Sequence, residues 1–373
     1  VSTPLTRASP LEPPGSTLAS QLAARRGVRV VTGFVGLVAP TSARPRRALR
    51  MWALRSAQAS AVLRARPRRV LRTHATRRTN VRKDGPMTSD APREPLDAQL
   101  LRDLLRAPVG VLHRVDVRAE VTSTNTVLVA EAREAPHAWP PPSLLVADHQ
   151  TAGRGRLDRA WQTPPHTALT ASLLVAPGTP RQTWGWLPLL AGLAAARTLR
   201  SMTALDVRTK WPNDLLVPAP DGSDLLGWGP WRKVGGILAE VVDDERVVVG
   251  LGVNVDQVAD ELPVASASSL AAHGASQRRE MLVAGMETSF VEVLELWREH
   301  AGDAVAAGLA EEVTAVCVTV GTDVRVTAAG GRELRGTAVG LDDDGALLVR
   351  TTAGEVERIV SGDVQHLRVI GAE

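Results

Sequence analysis

A chain of 373 residues with 44% hydrophobic and 23% charged side chains has room for two ordinary domains, each with its own core. Its single cysteine, Cys317, excludes internal disulfides and any cysteine-only zinc centre, which points to a reducing, cytoplasmic setting, and no apolar run is long enough for a membrane-spanning helix. Of 44 Lys+Arg and 40 Asp+Glu, residues 1–86 hold 18 and two (Glu12 and Asp84), so residues 87–373 carry 26 basic and 38 acidic side chains, and no nucleic-acid partner is expected of that acidic part.

Residues 1–86 show no sustained periodicity, and stretches such as "ARPRRALR" and "RARPRRVLRTHATRRTN" bury too little apolar surface to order themselves. Residues 1–95 are therefore expected to be a disordered basic tail. An RNA- or DNA-binding arm would have to rely on phosphate neutralisation alone, since no aromatic residues interleave its arginines. An Arg-rich transit peptide fits the composition. A secretory signal around "VRVVTGFVGLVA" is interrupted by glycines and lies far from the start. Translation from an upstream start is the reading preferred, because Met87 opens "MTSDAPREPLDAQLLRDLL", which has the look of an ordinary N-terminus.

From Leu96 the pattern becomes regular. "LDAQLLRDLL" has the spacing of a short amphipathic helix and "HRVDVRAEV" alternates like a strand. "STNTVLVAEARE" begins with good helix caps. Strands are predicted at "SLLVADHQ" and "TALTASLLV", and a buried helix at "GWLPLLAGLAAARTLRSM". Further strands are predicted at "DVRTKW", "KVGGILAEVV" and "RVVVGLGVNV", with a surface loop at the Gly/Pro/Asp-rich insert of residues 218–232. Residues 278–310 read as helical. After Val313, short alternating strands separated by "AGG", "DDDG" and "AGE" mark a small all-β barrel. Interleaved strands and helices followed by this barrel give a mixed α/β domain over residues 96–312 and a β domain over 313–373.

Five clusters stand out. "QTAGRGRLDRAW" combines three arginines with two glycines, which suits an anionic ligand approached by backbone amides. "STN" offers polar side chains at a helix start. "KWPND" sets an amide and a carboxylate side by side after a lysine, "KVGGILAE" follows a lysine with paired glycines, and "GLGVNV" repeats the glycine theme. Each alone has a plain structural explanation. A strand glycine more often marks a bulge or close packing than a ligand site, "WPND" reads as a turn, Trp161 as core, and Ser123 as a helix cap.

Taken jointly and in order, "STN", "GRGR…R.W", "KWPND", "K.GGIL.E" and "G.G.NV" resemble the motifs of the biotin protein ligases over roughly residues 110–370. The type resembled lacks an N-terminal DNA-binding domain, since residues 1–95 show no pair of amphipathic helices joined by a turn. The resemblance implies an α/β (α+β) catalytic domain with a mixed sheet, like class II synthetases and lipoate ligases, followed by an SH3-like barrel. It implies an enzyme, monomer or homodimer, that uses ATP and Mg²⁺ to convert biotin to biotinyl-5′-AMP. The biotinyl group then passes to one lysine of the carrier domain of a biotin-dependent carboxylase. No "GxxxxGK[ST]" occurs, so phosphates would be held by other cations.

The same resemblance implies the roles. Ser123, Thr124, Asn125 and Gln150 would face the ureido ring of biotin. Gly153, Arg154, Gly155 and Arg156 would form a loop over the adenylate, with Arg156 near the reacting carboxyl. Lys233 would hold the carboxylate and α-phosphate, while Gly235 and Gly236 line the tail of biotin. Arg156 and Lys233 are thus the catalytic candidates. Arg159, Trp161, Lys210, Asn213 and Asn254 join Arg154, Arg156 and Lys233 as adenylate contacts, and Asp214 would position Mg²⁺ or the acceptor lysine. Where the family has a basic residue and a glycine, this chain has Leu157 and Asp158; Asp tolerates left-handed backbone and is expected to pair with Arg159. Two alternatives remain: a lipoate or octanoate ligase or transferase of the same fold, and a nucleic-acid-binding protein working through its basic tail.

Overall fold

The computed structural model describes residues 93–328 and 331–366; the expected tail lies outside them except for residues 93–95. All described residues fall within one compact unit. The chain opens with α1 (Ala98–Leu105), capped by Asp97, whose carboxylate accepts the Leu100 N–H at 2.9 Å. There follow β1 (Arg114–Val121), α2 (Thr124–Glu134), β2 (Ser143–Gln150), β3 (Ala168–Val175), α3 (Trp186–Thr203), β4 (Arg208–Lys210), β5 (Asp214–Pro218), β6 (Trp231–Val241) and β7 (Val247–Asn254). Then come α4 (Arg279–Glu299) and α5 (Leu309–Val316).

These strands make a seven-stranded sheet in the order β1-β2-β3-β7-β6-β5-β4. It is mixed, as expected, because β1 runs parallel to β2 while the other neighbours are antiparallel. Helices cover both faces, so β3, "ALTASLLV", is buried along its whole length. On one face Leu144, Val146, Leu173 and Val249 pack against α3 and α4 in the main core. On the other, Leu145, Leu174, Val248 and Val242 receive Leu128 and Ala132 of α2. Two residues further along, that second face carries Ser172 on β3 and Gly250 on β7 in place of large side chains, with Leu238 of β6 beside Gly250. The sheet surface drops away there, at the N-terminal end of α2.

The predicted helix over 278–310 is two helices. α4 stops at Glu299, where Ala301 and Gly302 adopt left-handed φ values of 53° and 87°, and helical structure resumes only at Leu309. Downstream, β8 (Asp323–Ala328), β9 (Glu333–Leu341), β10 (Leu347–Thr351), β11 (Val356–Ile359) and β12 (Gly362–His366) form the expected small antiparallel β unit, order β11-β10-β9-β8-β12. Its inward side chains, among them Val324, Val326, Leu347 and Val364, belong to the same apolar cluster as α3 and α4. Two indoles lock the units together: Trp186 Nε1 donates to Asp343 O at 2.7 Å and Trp211 Nε1 to Gly345 O at 3.0 Å. That docking brings β12 to the open end of the large sheet.

Beneath that end lies a buried ion pair. Asp148, at the end of β2, meets Arg279 at the start of α4 at 2.8 Å, and both its oxygens also accept the Leu96 N–H. Both side chains are about 5% exposed, so removing one charge strands the other away from water. Asp148→Asn is expected to destabilise the fold by about 3 kcal/mol, read as a lower urea midpoint at unchanged slope.

Candidate functional site

Where the sheet drops away, a cavity of about 460 Å³ opens between the N-terminus of α2, the β6 and β7 surface, the loop after β2, the 218–230 insert and β12. Its polar end is built on α2. Ser123 caps the helix by accepting the Thr126 N–H at 3.4 Å, and Gln150 Oε1 accepts from the Thr124 amide at 2.7 Å and hydroxyl at 3.0 Å. Ser172 Oγ lies 2.8 Å from Thr124 Oγ1 and 2.7 Å from Asn125 Oδ1, while Asn125 Nδ2 donates to Leu238 O and Glu240. Gly250 makes this possible, because a Cβ there would fall 2.0 Å from Asn125 Oδ1. The four buried side chains Ser123, Thr124, Asn125 and Gln150 thus form one preset array of donors and acceptors.

Next to it the cavity turns cationic. Lys233 Nζ pairs with Asp214 at 2.6 Å, and its stem bends back over Gly236, where a Cβ would stand 3.2 Å from the ammonium. Arg156 donates to Ser361 Oγ at 2.7 Å and approaches Asn213 Oδ1 at 3.5 Å; burial pulls its pKa below the usual arginine value. Arg159 pairs with Asp363 at 2.8 Å, so the expected pairing with Asp158 is replaced by a carboxylate brought in by β12. Burial pushes Asp363 up, but the bond from Arg159 and the charges of Arg159, Lys210 and Arg156 outweigh it and leave it lowered. Lys210 is only 4% exposed. Burial lowers its pKa against the pull of Asp214 and Asp363, with Lys233 and Arg159 adding to the lowering. His366 is pushed down to about 4 by burial and by the Lys210 charge, which makes it neutral near pH 7.

The loop that carries the arginines is anchored at both ends. Arg154 reaches away from the lysines to Thr126 Oγ1 at 2.9 Å and to Glu240 at 3.1 Å. Leu157 and Asp158 both sit at φ 55°, so the turn survives the missing glycine by placing two ordinary residues in left-handed backbone. Trp161 lies on Gly252, whose Cβ would come within 2.8 Å of the indole; among the described residues its buried Nε1 has no acceptor. Asn254 lines the cavity, yet its amide is committed at both ends, to Ser268 O at 2.9 Å and from Gln257 at 3.0 Å. Asn213 likewise gives its Nδ2 to Ile237 O at 2.7 Å.

All of the expected residues line the cavity except Gly153 and Gly235. A Cβ on Gly153 would meet Trp161 O at 2.4 Å, and one on Gly235 would meet Gly252 O at 2.6 Å, so both serve close backbone packing. Reasoning from the sequence missed Ser172, Trp228, Ser361, Asp363 and Gln365. Glu240 stood inside a quoted motif, and its spacing from Lys233 was the available signal; nothing local marks Asp363. Among the described residues no group of three or more His, Cys, Asp or Glu is placed to hold a metal, and no helix is long and apolar enough to cross a membrane.

Residues 117–256 match the biotin/lipoate A/B protein ligase family, and residues 319–367 match the biotin protein ligase C-terminal domain. The chain is 35% identical over 283 residues to the biotin–[acetyl-CoA-carboxylase] ligase of Mycobacterium tuberculosis, covering 75% of this chain and 98% of that protein. It is 30% identical to the bifunctional ligase/repressor BirA of Escherichia coli, covering 67% of this chain and 72% of that one. Among solved structures, the biotin protein ligase from Aquifex aeolicus in complex with biotin and ATP is similar with a TM-score of 0.53 at 27% identity, over 69% of this chain and 100% of that one.

The lowered pKa of Lys210 has a measurable consequence. Its ammonium loses its proton at lower pH than an exposed lysine, so the cavity sheds a positive charge as pH rises through that value. Affinity for inorganic pyrophosphate, measured by calorimetry, should fall on the alkaline side. In Lys210→Arg, which stays charged, the fall should move to higher pH; an unmoved limb would assign it to another group.

Proposed function

This chain belongs to the biotin/lipoate A/B protein ligase family, and we propose from that membership and from its cavity how it performs ATP-dependent attachment of biotin to protein. The observation that carries the reading is the junction, within one cavity, of the preset polar array around Gln150 with the cluster Lys233, Arg156 and Lys210. Activation brings a carboxylate up to a triphosphate, a meeting of like charges that needs fixed cations and donors in a partly dry site.

Ser123, Thr124, Asn125 and Gln150 take the ureido ring, which presents both donors and an acceptor. The acyl tail runs over Gly236, and its carboxylate reaches Lys233. A carboxylate oxygen attacks the α-phosphorus, the bond to the β-phosphate oxygen breaks, and pyrophosphate leaves, giving biotinyl-5′-AMP. Lys233 and Arg156 offset the charge on the reacting oxygens; Lys210 and Arg159 face the departing phosphates. Trp161 offers a flat apolar face and its free N–H to the nucleotide. In the second step the ε-amine of an acceptor lysine attacks the acyl carbon, an amide forms and AMP departs. Asp214, released from Lys233 as that lysine turns to the adenylate, is the carboxylate available to orient the incoming lysine and to take the proton its nitrogen loses as the amide forms. The acceptor proposed is the carrier domain of a biotin-dependent carboxylase.

Mg²⁺ binds through one or two carboxylates plus phosphates and keeps several waters. Asp214 holds Lys233 at 2.6 Å before substrate enters and is assigned above to the acceptor lysine, and the described residues offer no three-ligand cluster. The ion is therefore proposed to enter as the counter-ion of ATP. Two of the similar proteins named above, those of Mycobacterium tuberculosis and Aquifex aeolicus, bear biotin in their name or bound contents, which favours biotin over lipoate.

Transfer of labelled biotin to an acceptor domain, with and without ATP, tests the reading; adenylation of lipoate but not biotin would reverse it. Lys233→Ala should lower biotin-dependent pyrophosphate exchange by about a hundredfold or more with little change in unfolding midpoint, because Lys233 is 29% exposed. Arg156→Ala should let the adenylate escape, seen as biotin on bystander lysines of added albumin; strict acceptor dependence in that variant would remove the retention role.

A further inference from the structure

The insert between β5 and β6 was expected to be a surface loop, and much of it is exposed, with Leu226 at 96%. Its tip nevertheless turns Trp228 inward to line the cavity. The tip is firmly built. Leu225 O accepts the amides of Trp228 and Gly229 at 2.9 and 2.8 Å, with Gly227 and Gly229 at φ 79° and 60°. Arg232 ties Ser223 back to the start of β6 through contacts of 3.1 and 2.7 Å. Gly227 O accepts the His366 N–H at 3.2 Å, which seats the tip on β12.

What Trp228 meets there is Lys210, whose Nζ lies 4.1 Å from the indole centroid. Lys210 is 4% exposed, and among the described residues its ammonium has no hydrogen bond or ion pair; Asp214 and Asp363 act on it only through space. The ammonium of this largely covered side chain has no protein acceptor and is left to whatever occupies the cavity that Lys210 lines, and an aromatic face supplies only part of what an acceptor would. The free donors suit an anion, and the indole fixes where the ammonium stands while excluding water from one side.

We propose that Trp228 is a positioning residue for the phosphates of ATP, holding Lys210 by its indole face so that the ammonium donors are aimed at the β- and γ-phosphates. The proposal rests on the ligase reading above and adds to it a residue from the insert. The aromatic face is the property that matters, so an apolar side chain of similar reach does not replace it.

The test is biotin-dependent ATP–pyrophosphate exchange by the full chain and its Trp228→Ala, Trp228→Leu and Trp228→Phe variants, with ATP and biotin varied separately. KM for ATP should rise about tenfold in the Ala and Leu variants and return to within about threefold in the Phe variant, while KM for biotin moves less than about twofold. In a Lys210→Met background, Trp228→Ala should add nothing further. An unchanged KM for ATP in Trp228→Ala, equal rescue by Leu and Phe, parallel shifts in both KM values, or full additivity with Lys210→Met would each overturn the proposal. Failure of the unaltered chain to exchange pyrophosphate with either substrate would count against the ligase reading itself.

Discussion

Arg156, Arg159, Lys210 and Lys233 gather in one cavity, whose fifth cation, Arg154, is turned to Glu240, and the rest of the site depends on how the mutual repulsion of those four is contained. Two carboxylates do this: Asp214 at 2.6 Å from Lys233 and Asp363 at 2.8 Å from Arg159. The two carboxylates offset half of the charge of these four and leave an excess of positive potential where a polyanion is to enter. With more acid the site would lose its attraction for phosphate; with less, the lysines would swing out to solvent. The two aspartates come from different sheets, β5 and β12. The electrostatic balance therefore exists only while the small sheet is docked, and Trp186 and Trp211 hold it there by donating to the 343–345 turn.

The space itself follows from a change of residue size along one sheet face. Leu174 and Val248 fill the region beneath α2, and then Ser172, Gly250 and Gly252 leave it open. Because side chains alternate across a strand, this change opens a pocket on one face while Leu173 and Val249 keep the opposite face packed against the helices. The glycines have two different uses. Gly250 gives its missing side chain to Asn125 and Gly252 gives its own to Trp161, so the polar array and the indole can sit flush on the sheet. Gly153 and Gly235, equally prominent in the motifs, give theirs to backbone carbonyls and stand behind the wall.

That difference defines what was legible in the sequence. Alternation and spacing located the strands and helices of the large sheet, and motif order brought Ser123, Gln150, Arg156 and Lys233 into one site. Residue type could not separate a glycine that faces ligand from one that faces a carbonyl, because that depends on which strand lies opposite. Asp363 and Ser361 were invisible for a related reason: they reach the cavity through β12 pairing with β8 and through burial of the small sheet, a contact some 200 residues removed from Arg159. The helix over 278–310 was read through its break because Ala301, which takes a left-handed φ there, is an ordinary helix former.

The roof of the cavity shows how the small sheet takes part in the chemistry. Two elements far apart in sequence, the 153–160 loop and the insert, come to rest on the same strand and the residue before it, through Arg156 to Ser361, Arg159 to Asp363, and Gly227 to His366. They are not held equally. The Arg159–Asp363 pair is 61% and 41% exposed, a setting in which an ion pair contributes about 1 kcal/mol or less, and left-handed Leu157 and Asp158 cost the closed loop about 1–3 kcal/mol each. The insert carries no such strain outside glycine and is fastened at both ends of its tip. The arginine loop is thus held through an exposed ion pair and the Arg156–Ser361 bond across left-handed backbone, and the insert through bonds at both ends of a tip whose left-handed positions are glycines.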